Sequence, residues 1–125
     1  MSSRSIEVVK GIFAAYEIKD RGALERLIDA TFLFNSPLDN ALNRQRYLEL
    51  CWPNSANVEK FDFQYLAQEG ERVFVTYEAT LKGGRRIRNT EVFTVRNDRV
   101  ASVEVYFGWN IPHPVKPGQH ADSTD

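Results

Sequence analysis

Three side chains in this sequence fall where a proton could be held or moved in apolar surroundings: Tyr16, Asp39 and Glu91. Glu91 is marked out by its neighbours. Alternate side chains of a strand share a face, and Ile87, Asn89, Glu91, Phe93 and Val95 form one such set. An amide and a carboxyl group therefore point where three apolar side chains point, into a core. A buried carboxyl is costly unless it is paired or protonated. Desolvation raises its pKa, which makes it a proton donor near neutral pH. Two readings of Glu91 stay open. It either binds a ligand oxygen, or it fixes the core by pairing with an arginine such as Arg46 or by accepting from tyrosine hydroxyls. Tyr16 ends the apolar stripe of a helix, where its hydroxyl meets either a ligand or the rim of the core. Asp39, two residues after Pro37, either reaches the mouth of a pocket or caps a helix. His113 and His120 lie seven residues apart among prolines without further ligands, so no metal site is expected. No organic cofactor is expected either.

The elements that must position these groups follow from periodicity. Ile6, Val9, Phe13 and Tyr16 recur at intervals of three and four, with Ile12 beside them and charged residues opposite, which predicts an amphipathic first helix capped by Ser5. Asp20, before Ala23, Leu24, Leu27 and Ile28, predicts the cap of a short second helix. A short strand over 31–34 ends at the Ser36-Pro37 step. A third helix is expected from Asp39 or Asn40, carrying Leu42, Tyr47, Leu48, Cys51 and Trp52 and ended by Pro53. From position 59 the period becomes two. Runs over 59–67, 72–82, 85–96 and 99–109 are separated by Glu69-Gly70, Gly83-Gly84 and Asn97-Asp98, which predicts an antiparallel meander of four long strands. The inward faces expected of it are Phe61, Phe63, Tyr65 and Ala67; Val73, Val75, Tyr77, Ala79 and Leu81; and Val103, Val105, Phe107 and Trp109.

The fold class is thus α+β, with three N-terminal helices packed in the concave face of a strongly curved antiparallel sheet. One domain spans 1–111, and a flexible tail with prolines spans 112–125. The chain is 42% hydrophobic and 26% charged, ordinary for a globular protein. A net charge of −1 sets up no broad positive field, so no nucleic acid is expected. The basic residues Lys82, Arg85, Arg86 and Arg88 flank a glycine turn and read as a solvated hairpin tip. A lone cysteine, Cys51, argues for a reducing compartment and hence a cytoplasmic location. No apolar run approaches the roughly 20 residues that span a bilayer, and no signal peptide or membrane partner is expected.

The element order and four segments resemble the nuclear transport factor 2-like superfamily, which includes the SnoaL-like polyketide cyclases and the ketosteroid isomerases. The segments are GIFAAYEIKDRGAL, FLFNSPLDN, RNTEVFTVRNDRV and VEVYFGWN, and the resemblance covers about residues 5–111. It implies a cone-shaped, cystatin-like α+β barrel around a pocket for an apolar small molecule. It also implies that Tyr16 is similar to the helical oxyanion tyrosine of the isomerases, Glu91 to their protonated acid and Phe107 to an aromatic closing the site. The isomerases' base is an aspartate immediately before a proline, where this chain has Ser36, and Asp39 is the nearest carboxyl group. The expected pocket comprises Phe13, Phe34, Ser36, Tyr47, Trp52 and Tyr77, together with Asn89, Phe93, Val105, Phe107 and Trp109. Two functions follow as expectations. One is an acid/base isomerase or cyclase acting on a steroid- or polyketide-like carbonyl compound. The alternative is a non-catalytic ligand-binding or dimerisation domain. A homodimer is expected through the convex sheet face, where Phe74, Val92 and Tyr106 alternate with inward residues.

Overall fold

Apolar spacing and caps define the helices. In the computed structural model, which describes residues 3–122, helix α1 runs Ser3–Ile18 and buries Val8, Val9, Ile12, Phe13 and Ala15. Ser5 lies inside this helix rather than at its cap, because the helical turn starts two residues earlier. Helix α2, Arg21–Leu27, begins where Asp20 accepts a hydrogen bond from the Ala23 N–H at 3.0 Å. It stops before Ile28, which opens a longer strand than the spacing predicts, β1 at Ile28–Ser36.

The largest departure follows. Residues Asp39–Asn43 form a strand, β2, in a tight hairpin with β1, and not the start of a helix. Asn43, rather than Asp39 or Asn40, caps helix α3 (Arg44–Leu50) by accepting from the Arg46 N–H at 2.9 Å. A 3-10 turn, Trp52–Asn57, with Pro53 near its start, leads into the main sheet.

Strands β3 (Val58–Glu69), β4 (Arg72–Leu81), β5 (Arg86–Arg96) and β6 (Arg99–Ile111) form the predicted meander. The Asn97-Asp98 turn holds both residues at positive φ, as tight hairpins require. The sheet nevertheless has six strands in the order β2-β1-β6-β5-β4-β3, and β1 runs parallel to β6, so it is mixed rather than antiparallel throughout. Helix α1 lies across β3, β4, β5 and β6 and fills the hollow of the sheet. No helix among the described residues is long and apolar enough to cross a membrane. Residues 112–122 contain no helix or strand; residues 1, 2 and 123–125 lie outside the described part.

Two bulges correct the predicted faces. Between Phe63 and Tyr65 the β3 register shifts by one residue, so Tyr65 and Ala67 pair with Thr76 and Phe74 on the outer face, and Leu66 takes the inward place. A bulge inserts a residue into one strand and reverses the alternation beyond it. The same happens in β6. Asn89 pairs with Phe107 but Ile87 pairs with Asn110, so Trp109 turns outward, beside the Arg88 guanidinium. Gly108 permits this crossing: a Cβ there would sit 2.2 Å from the Arg88 carbonyl oxygen.

Candidate functional site

Helix α1, the β1–β2 hairpin, helix α3 and the inner faces of β4, β5 and β6 enclose a cavity of about 530 Å³. That lies within the range of small-molecule sites. Its inner wall is aromatic. Phe13 meets Phe61, Tyr77 and Phe93 edge to face, with centroids 4.9, 5.1 and 5.7 Å away. Phe34 leans on Tyr47 at 4.9 Å. Val105 and the half-exposed Phe107 add to the wall from β6.

The polar groups come in three sets. The first is a pair of hydroxyls: Tyr16 of α1 and Tyr47 of α3 bond to each other at 2.6 Å. Burial pushes both phenols well above their ordinary range, so both keep their protons. One hydrogen is spent between the two oxygens, and the other remains for a ligand.

The second set surrounds the buried acid. Tyr77 of β4 donates to Glu91 at 2.5 Å, and Asn89, directly opposite Tyr77, donates to the Tyr77 oxygen at 3.5 Å. Burial drives Glu91 from an ordinary 4.5 up to about 7, and the bond from Tyr77 offsets only part of that rise. No Lys, Arg or His among the described residues lines the cavity, so no cation opposes the desolvation. Of the two partners expected if Glu91 only fixed the core, Arg46 bonds instead to Glu49 on the surface at 3.2 Å, whereas a tyrosine hydroxyl is present in Tyr77. No buried side-chain oxygen or nitrogen among the described residues lacks a partner. The second Glu91 oxygen, which bonds to none of them, therefore keeps contact with the cavity space.

The third set lies near the mouth. Because β2 replaces the expected helix start, Asp39 opposes Ser36 across the hairpin, and the Ser36 hydroxyl donates to Asp39 at 2.7 Å. Both residues line the cavity. Cys51 and Asn54 line it as well, and neither residue type nor spacing marks them out for that place. The Cys51 thiol is pushed up to about 11 by burial and by the charge of Asp39.

The structure thus brings together Phe13, Tyr16, Phe34, Ser36, Asp39, Tyr47, Tyr77, Asn89, Glu91, Phe93, Val105 and Phe107. It leaves out two of the expected lining residues. Trp52 packs edge-on behind Tyr16 at 5.0 Å instead of lining the space, and Trp109 faces outward beyond its bulge. Tyr16 and Glu91 share the cavity, but each bonds to a different tyrosine.

This architecture is shared with solved structures. A protein of unknown function from Burkholderia xenovorans, described as NTF2-like, superposes with a TM-score of 0.76 over 93% of this chain and 89% of its own, at 19% identity. The fold is NTF2-like. A candidate polyketide cyclase from Sinorhizobium meliloti matches the same fold with a TM-score of 0.68, at 17% identity over 79% of this chain and 93% of its own. A de novo designed protein with a curved β-sheet reaches 0.76, at 12% identity over 86% and 88%. A backbone similar to this one can thus be written by design, and function must be argued from the side chains inside it. No protein-family model and no curated protein sequence matches the chain.

Proposed function

We propose that the cavity binds an apolar carbonyl compound and transfers a proton on it, as an isomerase or a cyclase does. One observation carries this reading. Two carboxyl groups share one aromatic cavity, with Glu91 enclosed and poised near neutrality and Asp39 by the mouth. When two acids sit in environments that separate their proton affinities, one serves as donor and the other as base. In its neutral form Glu91 offers an O–H to the substrate oxygen, and the Tyr16–Tyr47 pair offers a second donor. Such donors favour the negative charge that grows on oxygen as a neighbouring C–H loses its proton. Asp39 accepts that proton and returns it to another carbon, so the enzyme ends as it began. Asp39 takes up the part for which Ser36, at the position before Pro37, is chemically unfit. The name borne by the Sinorhizobium protein falls in the same reaction class.

The second reading is a domain that binds without catalysis. It is favoured by the bond from Ser36, which already occupies one Asp39 oxygen. Proton exchange separates the two. With 2-tetralone in D2O, the wild type should speed exchange of the protons beside the carbonyl, and Asp39→Asn should return the rate to that of buffer. Saturable binding with no acceleration would establish the non-catalytic domain. A complete lack of binding would count against the cavity as a site for carbonyl compounds.

A further inference from the structure

A line of hydrogen bonds runs from the backbone of β6 to the buried acid, and each link has a direction. The Gly108 N–H donates to Asn89 Oδ1 at 3.2 Å. A backbone N–H can only donate, so it orients the amide, leaving the Asn89 NH2 aimed across β5 and β4 at Tyr77. That NH2 is also donor only, and it occupies a lone pair of the Tyr77 oxygen at 3.5 Å. Tyr77 has one hydroxyl hydrogen, and it goes to Glu91 Oε2 at 2.5 Å. Without Asn89, the same phenol oxygen could accept from a protonated Glu91, and the bond would reverse. The β6 bulge supplies the first link, since only a residue lacking Cβ lets position 108 pass the Arg88 carbonyl.

We infer that Asn89 is a positioning residue, which fixes the Tyr77 hydroxyl as a standing donor to one Glu91 oxygen and so leaves the other oxygen to the cavity. Resting as it does on Glu91 being the acid of the site, the inference requires no particular substrate. Its physical content is a contest. A standing donor stabilises the carboxylate, while enclosure stabilises the neutral acid. The other ionisable groups around Glu91 are the phenols of Tyr16 on α1 and Tyr47 on α3. Val75 and Val105 flank it from β4 and β6, while Asp39 of β2 and Cys51 after α3 share its cavity.

The test follows the Glu91 carboxyl carbon by NMR in the full chain labelled with 13C-glutamate, assigned by its loss in Glu91→Gln and titrated from about pH 5 to 9, a window on either side of neutrality. Tyr77→Phe removes the donor and should raise the Glu91 midpoint by roughly one pH unit. Asn89→Leu leaves the phenol in place but frees its orientation, and should raise the midpoint by roughly half as much. A purely structural asparagine would lower the melting temperature and leave the midpoint where it was. A folded Asn89→Leu protein with the wild-type midpoint overturns the inference, as does a Tyr77→Phe protein that does not shift. Should Asn89→Leu fail to fold, Asn89→Ala is read in the same way. If wild-type Glu91 titrates as an ordinary carboxyl and both variants still shift upward, the proposed role of Glu91 as a neutral donor falls and the positioning role of Asn89 stands.

Discussion

Glu91→Gln keeps the size of the side chain and much of its hydrogen bonding but removes its titration, so wild type and variant differ by one proton equilibrium. In the folded chain burial holds Glu91 at about 7, against an ordinary 4.5 that the unfolded chain restores. Between those values the folded state keeps a proton that the unfolded state has released. Wild-type stability must therefore fall as pH rises. The contribution is fully present below about pH 4.5 and is lost as pH climbs through 7. Two and a half pH units at about 1.4 kcal/mol each come to about 3.5 kcal/mol. That is a ceiling, because one carboxyl oxygen still meets the cavity and any water there screens the charge. Urea unfolding of both proteins at about pH 5 and 9 isolates the effect, since every other group cancels in the difference. The Gln variant should gain up to about 3 kcal/mol on wild type across that range. A difference that stays flat would refute the neutral buried acid. A difference running the other way would mean that Glu91 is held as a carboxylate by a cation.

Gly108→Ala should cost about 1–3 kcal/mol in a thermal melt, because its Cβ would meet backbone at 2.2 Å and neither strand can yield without losing pairs. The convex face bears Phe74, Val92 and Tyr106, with Tyr65 moved onto it by the β3 bulge, and it is expected to pair with a second copy of the chain. Sedimentation at micromolar concentration should find a dimer that Phe74→Asp converts to monomer, and a wild-type monomer would refute it.

Strand pattern was the most legible part of this sequence. The four long strands and the two glycine or asparagine turns between β4 and β6 follow from alternation and from residues that tolerate positive φ, and both survive in the structure. The inward direction of Glu91 followed from the same alternation. What failed were the places where one inserted residue changes the sign of the pattern. Nothing in Phe63-Gln64-Tyr65 announces a bulge, because a bulge is decided by how the partner strand is held rather than by local preference. Gly108 did carry a signal, an isolated glycine inside a strand. Read as a bulge, it would have turned Trp109 outward and removed it from the pocket. Asp39 was misplaced for a related reason. A short polar segment after a proline suits a helix cap and a hairpin equally well, and it is pairing with β1, a tertiary fact, that decides between them. The tyrosine partners of Glu91 and Tyr16 needed cross-strand and helix-to-sheet registers that no single segment contains.

The place of β6 in the sheet bears on the order in which the molecule is assembled. Each strand from β3 to β6 finds its neighbour through a short turn, so the meander can zip up locally. Strand β1 cannot join in that way. Its partner is β6, about seventy residues further along, and until β6 emerges the first hairpin has no sheet to dock on. A ribosome therefore releases the N-terminal third, including the apolar stripe of α1, well before the surface that covers it exists. The contacts that bring Asp39 and Ser36 to the cavity they share with Glu91 belong to the slow, non-local end of folding, where the loss of chain entropy precedes the reward.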